Sequence, residues 1–345
     1  MLAKPLRVAI VGVGRWGINH LRLLGERHDR RAGVELVAAV DTTASARERA
    51  AVLRPGLRVG DDVSEVLGEN VDALIVATPP ETHAELARRA LEAGKHVLVE
   101  KPLCMCPVAA RELAALAERR GLALATGHLV LHQAAYERLF DELRPQRATA
   151  VSTLREGAAR GAIDPVEVLW SLGPHDVGVA LRTLGPGLRV AVARGLERGV
   201  LLELAGGLGE RAAIRLERGA SPARRGATVE TAAGRYELDE VAGTLSFVAA
   251  GVASARRALA VEPSSPPLDR QLGAFLRQVR RGHTPEAVRD PGPEVVALLH
   301  EAARRLAADL EGRAAEVETT ERAMNALAAA GTEGTLSMAA ASLPG

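Results

Sequence analysis

Residues 7–27 read RVAIVGVGRWGINHLRLLGER, and this stretch predicts the fold of the first part of the chain. The β-branched run over 7–11 predicts a strand, and the apolar residues at helical spacing after the glycines predict a helix. Between them, Gly12, Gly14 and Gly17 have the spacing G-x-G-x-x-G. Between a strand and a helix, this spacing is typical of a turn that holds a dinucleotide pyrophosphate at a helix N-terminus.

Each glycine of this loop has a separate expected task. Gly12 would permit the tight turn, Gly14 would let the pyrophosphate approach the backbone, and Gly17 would let the helix pack close to the strand. Asp41 ends the second apolar run and can accept hydrogen bonds from the adenosine ribose. It favours NAD, because a 2′-phosphate would meet its negative charge, although Arg47 nearby leaves NADP open. The alternative is a glycine-rich turn without a ligand.

Strand and helix patterns alternate through the first 127 residues. After the first two apolar runs, further strands are predicted over 71–78, 96–100 and 122–128, with helical patterns between them. This alternation predicts an α/β fold whose N-terminal part, residues 1–127, is a Rossmann domain with a doubly wound parallel sheet.

Composition limits the classes of function. The chain of 345 residues is long enough for two domains, and its formal net charge of +1 with 2% aromatic residues argues against a nucleic-acid partner. Cys104 and Cys106 are expected to be free thiols in a reducing compartment, and no metal-ligand spacing is present. The chain enters a strand within its first residues, which leaves no room for a signal peptide, and no apolar run reaches membrane-spanning length. A cytoplasmic location without membrane contact is therefore expected.

Glu100, Lys101 and Pro102 follow the predicted strand over 96–100. Ligands of open α/β sheets bind at the carboxyl ends of the strands. A lysine there, beside a cofactor, can polarise a carbonyl or hydroxyl group and assist proton transfer. The ordinary alternative is an exposed lysine at a strand end.

Five segments, in order, resemble the Gfo/Idh/MocA family, which includes glucose–fructose oxidoreductase and inositol dehydrogenase. They are GVGRWGINH, ATPPETHAELA, GKHVLVEKPL, ATGHLVLHQAA and VLWSLGPHDV, within residues 5–312. The resemblance implies an NAD(P)-dependent oxidoreductase whose second domain is α/β, with an open-faced mixed sheet. It also implies that substrate binds between that sheet and the nicotinamide, and that the protein is a homodimer or homotetramer.

The resemblance further implies roles for individual residues. Lys101 would contact the reacting hydroxyl or ketone, and Glu100 would lie close to the nicotinamide ribose. The remaining cofactor-binding residues are those of the glycine loop with Asp41, and those of the loop that runs along the cofactor: Gly12, Gly14, Arg15, Trp16, Gly17, Asp41, Thr78, Pro79 and His83.

In VEVLWSLGPHDVG, residues 166–178, His175 stands just after a strand-like apolar run, and it is the second candidate catalytic residue. Family members often carry Asp-x-x-x-His on a helix that lines the substrate pocket, and here the aspartate position holds Ser171. This departure puts activity in question. WSLGPHD and GRWGIN nevertheless resemble the nucleotide-sugar dehydrogenases of the family. His175 would then accept the hydroxyl proton while Lys101 stabilises alkoxide character. The alternative is a helix-capping or buried histidine, and Asp176 beside it is interpreted as a charge at a helix N-terminus.

Substrate-side candidates in the second domain are fewer. Arg155 and Arg225, the latter next to Arg224, are candidates for binding an anion such as a diphosphate, although 224–225 can equally be an exposed turn. Trp170 could line the pocket or fill the core. The predicted boundaries place the second domain at 128–312, with helices over 266–312 packing back near the first domain, and a tail of unknown role at 313–345.

The sequence therefore favours an NAD(P)-dependent dehydrogenase or ketoreductase that acts on a secondary alcohol or ketone of a sugar, most of all a nucleotide sugar. Two alternatives stay open: a non-catalytic dinucleotide-binding regulator, and a lyase or glycosidase that recycles NAD on the same fold. A purely structural protein would bind no NAD at all.

Overall fold

A computed structural model describes residues 4–30, 33–158, 163–219, 222–251, 256–262, 265–281 and 290–337, with backbone only at 314 and 316–337. The first sheet has six parallel strands in the order β3-β2-β1-β4-β5-β6. The strands are β1 Leu6–Val11, β2 Val34–Val40, β3 Arg58–Gly60, β4 Ala73–Val76, β5 His96–Glu100 and β6 Leu124–Gly127. The helices are α1 Gly17–Asp29, α2 Ala44–Leu53, α3 Pro80–Glu92 and α4 Pro107–Arg120. This architecture confirms the predicted doubly wound fold.

The local sequence explains these elements. All four residues of β4 are buried, as expected for a central parallel strand with helices on both faces. α3 and α4 each begin with proline in the first turn, and α4 ends at Gly121 with φ +63°. The strand order reverses between β1 and β4, and the carboxyl ends of β1, β4 and β5 therefore border one crevice.

The second sheet has eight strands in the order β14-β13-β12-β11-β7-β10-β9-β8, and it is mixed, because β7 and β10 are parallel while the other neighbours are antiparallel. Its strands are β7 Ala148–Gly157, β8 Arg189–Leu196, β9 Gly199–Ala205, β10 Arg211–Arg218, β11 Arg225–Thr231, β12 Gly234–Asp239, β13 Thr244–Ala249 and β14 Arg256–Leu259. Two helices precede or cross it, α5 Ala134–Leu143 and α6 Pro165–Leu184. In β10, buried Ile214 and Leu216 face the core, and exposed Arg211 and Arg215 face the opposite side.

α6 corrects two interpretations made from sequence. The apolar run over 166–170 is not a strand, since α6 includes it and continues past Pro174 to Leu184. A short apolar run has no periodicity that separates a buried strand from a buried helix. Asp176 therefore lies in the middle of the helix and not at its N-terminus. Asp164 caps the helix instead, accepting a hydrogen bond from the Val166 amide at 2.9 Å.

Two last helices connect the sheets: α7 Pro267–Arg281 and α8 Gly292–Ser337. Phe275 and Leu276 of α7 pack in the core beside β1 and β2. At the start of α8, Val296 belongs to a core of the first sheet and Val295 to the core of the second. The domain boundaries at 127/128 and 312/313 stay predictions. In sequence, residues 218–231 resemble a substrate-side hairpin of the nucleotide-sugar members, and residues 262–269 have the composition of a linker. Parts of both segments, and of the tail over 313–345, lie outside the described residues.

Candidate active site

The three glycines of the β1–α1 loop meet three different surroundings. Gly12 has φ +88°, and a Cβ there would lie 2.7 Å from the Ala77 oxygen. A Cβ at Gly17 would lie 1.9 Å from the Gly12 oxygen, so only glycine lets α1 start this close to β1. A Cβ at Gly14 would meet no described heavy atom within 4 Å. This open approach at a helix N-terminus fits a dinucleotide pyrophosphate.

Asp41 is fixed at the end of β2 beside that loop. Its carboxylate accepts hydrogen bonds from the amides of Val13 and Thr43, both at 2.8 Å. The Arg47 guanidinium donates to the carbonyls of Asp41 and Thr42, each at 2.9 Å. A carboxylate and a cation thus share the turn where an adenosine ribose would bind, an arrangement that suits NAD and leaves room for NADP.

Both ring nitrogens of His83 lie beside main-chain oxygens of the protein. Its ring is 1% exposed, with Nδ1 2.8 Å from the Pro102 oxygen and Nε2 2.9 Å from the Thr78 oxygen. The imidazole therefore connects the loop after β4, which includes Thr78 and Pro79, to the loop after β5. Arg15 and Trp16 lie at the exposed tip of the glycine loop.

Lys101 extends from the end of β5 to the second sheet's helix. Its Nζ donates to the Ser171 carbonyl on α6 at 2.7 Å. Burial lowers the pKa of Lys101, and the adjacent Glu100 carboxylate opposes that shift. The sequence did not predict that the partner of Lys101 would be a main-chain oxygen. Any residue at position 171 provides this oxygen, so the contact does not depend on the missing aspartate.

His175 lies one helical turn after Ser171, on the same face of α6. Its Nδ1 is buried and has no hydrogen-bond partner among the described residues. Burial, followed by the charges of Lys101 and Arg155, holds the pKa of His175 well below its usual value. The ring is therefore neutral at physiological pH, as a general base must be.

Arg155 was predicted to bind an anion of the substrate, but in the structure its guanidinium is enclosed by carboxylates of the protein. It is 5% exposed; Nε donates to Asp176, and Nη1 and Nη2 donate to Glu240 at 2.9 and 2.7 Å. All three guanidinium nitrogens are engaged by carboxylates of the protein. Buried ionic groups need such partners, so this cluster fixes α6 against the sheet.

Arg225 and Arg224 point to opposite faces of the sheet. Arg224 forms two hydrogen bonds with the buried Glu156 carboxylate, at 2.9 and 2.7 Å. Arg225 pairs in register with Arg155, so its side chain lies on the α6 face, and its charge contributes to the low pKa of His175. The described residues offer it one bond, to the Glu156 carbonyl at 3.4 Å. Trp170 is partly buried against the second core, in agreement with a packing role.

Two residues at the site were missed from sequence. Arg218, at the end of β10, donates to the Ser171 hydroxyl at 2.8 Å and to Glu167 at 2.9 Å. His20 on α1 is fully buried, with Nε2 2.8 Å from Glu100 Oε1. His20 stands three residues after the last glycine of the loop, inside the family-like segment GVGRWGINH, and that position was the available signal.

The residues of the first sheet match a known protein family. Residues 6–128 match a family described as "Oxidoreductase family, NAD-binding Rossmann fold". Over 102 residues the chain is 42% identical to inositol 2-dehydrogenase of Rhodococcus erythropolis, an alignment that covers 29% of this chain and 28% of that protein. The likeness to this curated relative is therefore confined to about a third of either chain.

Solved structures match over nearly the whole chain. A protein from Magnetospirillum magnetotacticum described as an oxidoreductase is 30% identical, with TM-score 0.69, over 88% of this chain and 99% of its own. UDP-N-acetylglucosamine 3-dehydrogenase of Acidithiobacillus ferrooxidans is 23% identical, with TM-score 0.75, over 89% and 99%. At that identity, the second likeness concerns the fold. In the described residues, no helix is both long and apolar enough to cross a bilayer.

Proposed function

Because the chain belongs to the Gfo/Idh/MocA family of oxidoreductases, we propose that it is an NAD(P)-dependent dehydrogenase or ketoreductase that acts on a secondary alcohol or ketone of a nucleotide sugar. The site between the two sheets would perform this reaction. The predicted homodimer or homotetramer and the cytoplasmic location stay predictions.

One observation carries the proposal. The Lys101 ammonium, from the first sheet, donates to the Ser171 carbonyl on α6 at 2.7 Å, and the His175 imidazole stands one helical turn further along α6. The charge of Lys101 reaches His175 and lowers its pKa. These groups come from opposite sides of the crevice at the carboxyl ends of β1, β4 and β5. A cation and a neutral base on one surface are what oxidation of a carbinol requires of the protein.

Each group has a separate task. When bound on the glycine loop, the nicotinamide cofactor supplies the site that accepts or returns a hydride. His175 takes the hydroxyl proton on its ring nitrogen during oxidation, and its lowered pKa keeps it available for that purpose. Lys101 holds the substrate oxygen and stabilises the negative charge that develops there. In the direction of reduction, His175 returns the proton to the substrate oxygen and Lys101 again stabilises the charge there.

Two arginines without a carboxylate partner in the described chain favour a nucleotide-linked substrate. Arg15 lies in the glycine loop and Arg225 on β11, and no carboxylate of the described chain forms an ion pair with either. Guanidinium groups on both sides of a crevice suit a diphosphate. The UDP-N-acetylglucosamine 3-dehydrogenase named above shares this fold, and its substrate class agrees with that charge.

The test is turnover with a panel of UDP- and TDP-linked sugars, followed as NADH or NADPH absorbance in both directions. We expect activity with at least one, at least about a hundredfold loss in Lys101→Met and His175→Phe, and little change in Arg211→Gln on the open sheet face. The absence of turnover with every sugar and both cofactors would contradict the proposal. Activity without net cofactor reduction would indicate the NAD-recycling alternative.

The regulator alternative rests on Ser171 alone. A regulator predicts that Lys101→Met preserves the cellular phenotype of the wild-type gene while Gly14→Val, which blocks the cofactor approach, abolishes it. The dehydrogenase proposal predicts that both substitutions abolish the phenotype.

A further inference from the structure

The carboxylate of Glu100 is held from three sides. His20 Nε2 lies 2.8 Å from Oε1, and the Lys101 amide donates to Oε2 at 3.3 Å. Gly127 on β6 completes the enclosure, because a Cβ there would lie 2.9 Å from Oε2. The Glu100 side chain stays 13% exposed.

His20 itself is enclosed by protein. It is 0% exposed, and its Nδ1 has no hydrogen-bond partner among the described residues. The bond to Glu100 is thus the polar contact that the ring makes in the described chain. A buried polar side chain of this kind is retained for the one bond it makes, since its burial is otherwise unfavourable.

His20 also joins two parts of the site. It stands in the first turns of α1, the helix whose N-terminus faces the glycine loop, while Glu100 ends β5 and precedes Lys101. The two residues are 80 positions apart in sequence. One hydrogen bond therefore couples the cofactor-binding helix to the strand that carries the candidate catalytic lysine.

We propose that His20 is a positioning residue: by donating through Nε2 it fixes the Glu100 carboxylate beside Lys101, where that carboxylate serves both a bound cofactor and the charge of the lysine. The role in catalysis rests on the proposed function. The positioning itself is a property of the protein without cofactor or substrate.

The electrostatic consequence has a definite sign. The charged and titratable groups whose fields reach Lys101 or respond to it are Glu100, Arg15, Arg155, Arg218, His128 and His175. Among the groups that shift the pKa of Lys101, Glu100 raises it, while burial and the three arginines lower it. If the carboxylate loses its donor and turns away, the pKa of Lys101 must fall further.

The experiment measures Lys101 directly in the cofactor-free protein. The chain has three lysines, at positions 4, 95 and 101, so labelling by trinitrobenzenesulfonate can be read for each lysine by mass spectrometry. In His20→Phe, which keeps a ring but removes the donor, labelling of Lys101 should begin about one pH unit lower than in the wild type. Labelling of Lys4 should be unchanged. His20→Gln, whose amide can still donate to Glu100, should restore the wild-type profile.

Cofactor affinity is the second readout. NADH fluorescence should show about tenfold weaker binding in His20→Phe and near-normal binding in His20→Gln. Glu100→Gln should reproduce the labelling shift, and adding His20→Phe to it should produce no further shift. If His20→Phe folds poorly, the single variant Glu100→Gln carries the test, and an unchanged labelling profile of Lys101 in that variant would overturn the proposal.

Unchanged labelling and unchanged NADH binding in folded His20→Phe would overturn the proposal. So would His20→Gln behaving like His20→Phe, because a donated hydrogen bond to Glu100 would then not be what positions the carboxylate. Failure of the proposed function appears elsewhere, as absent turnover with every sugar, and it leaves the labelling result readable.

Discussion

Single residues at this site are distinguished by their surroundings more than by their type. Gly12, Gly14 and Gly17 stand within six positions. A Cβ at Gly12 or at Gly17 would overlap a backbone carbonyl, whereas a Cβ at Gly14 would point into open space. Arg155 and Arg225 are paired in register, yet one is enclosed by carboxylates and the other is exposed. The role of a residue therefore follows from which atoms surround it.

The glycine loop gives a matched pair of variants. Gly17→Ala should destabilise the protein by about 2 kcal/mol or more, because its Cβ would overlap a backbone oxygen that cannot move freely. Gly14→Ala should unfold like the wild type but bind NADH weakly, because its methyl group occupies the pyrophosphate approach. Thermal unfolding and NADH fluorescence check both. Equal stability of the two variants would contradict the steric argument.

The two candidate catalytic groups predict a pH profile. The neutral His175 ring is the base and its pKa is depressed, so kcat/KM for oxidation should hold its plateau as pH falls through 6.5 and decline only below it. The depressed pKa of Lys101 should place the alkaline decline below pH 10.5. Lys101→Arg, which keeps the charge but does not titrate in this range, should remove the alkaline decline. An acid midpoint at or above 6.5 would count against His175.

At the scale of elements, α6 and α8 determine the geometry of the second sheet. α6 carries Ser171, whose carbonyl accepts from Lys101, and it is anchored to β7 by the hydrogen bond from Arg155 to Asp176. α8 covers the edge strand β8: Arg305 donates to the Ala191 carbonyl at 3.0 Å, and Asp309 accepts from the Gly195 amide at 3.0 Å. Polar groups of an edge strand would otherwise be free to pair with another chain.

The covered edge can be exposed by substitution. Combining Arg305→Ala with Asp309→Ala should lower the free energy of unfolding by about 1–2 kcal/mol and increase self-association, since β8 loses two of its edge contacts. Urea unfolding and light scattering measure the two effects. Arg304→Ala is the control, because its ionic partner is Glu301 on the same helix. A similar loss in that control would assign the effect to helix propensity.

At the scale of the whole molecule, the two sheets share their last helices. α7 supplies Phe275 and Leu276 to the core beside β1 and β2, and Asp269 at its start binds Arg27 of α1 at 2.7 Å. α8 contributes to the cores of both sheets from adjacent residues, Val295 and Val296. If these helices detached from one sheet, apolar surface of both cores would be exposed to water.

Cooperative unfolding follows from this sharing. The chain has two tryptophans, Trp16 beside the first sheet and Trp170 on α6 of the second. Each of the variants Trp170→Phe and Trp16→Phe keeps one tryptophan. In each, the urea midpoint measured by tryptophan fluorescence should coincide with the midpoint measured by far-UV circular dichroism. A fluorescence midpoint that departs from the circular dichroism midpoint in either variant would show that the sheets unfold separately.

Local sequence patterns were sufficient to predict the first sheet, the glycine loop and the position of Lys101 at a strand end. These features are local: residue type and spacing over a few positions specify a buried strand, a turn and a helix start. The family resemblance of five segments added the prediction of a mixed second sheet, and the structure confirms that sheet.

The contacts between distant side chains could not be predicted from these local patterns. Lys101 and Ser171 are 70 positions apart, His20 and Glu100 80, and Arg155 and Glu240 85. No local pattern encodes such pairs, because they depend on how two sheets and their shared helices pack. That packing turned Arg155 from a predicted substrate contact into a buried anchor and brought His20 and Arg218 to the site.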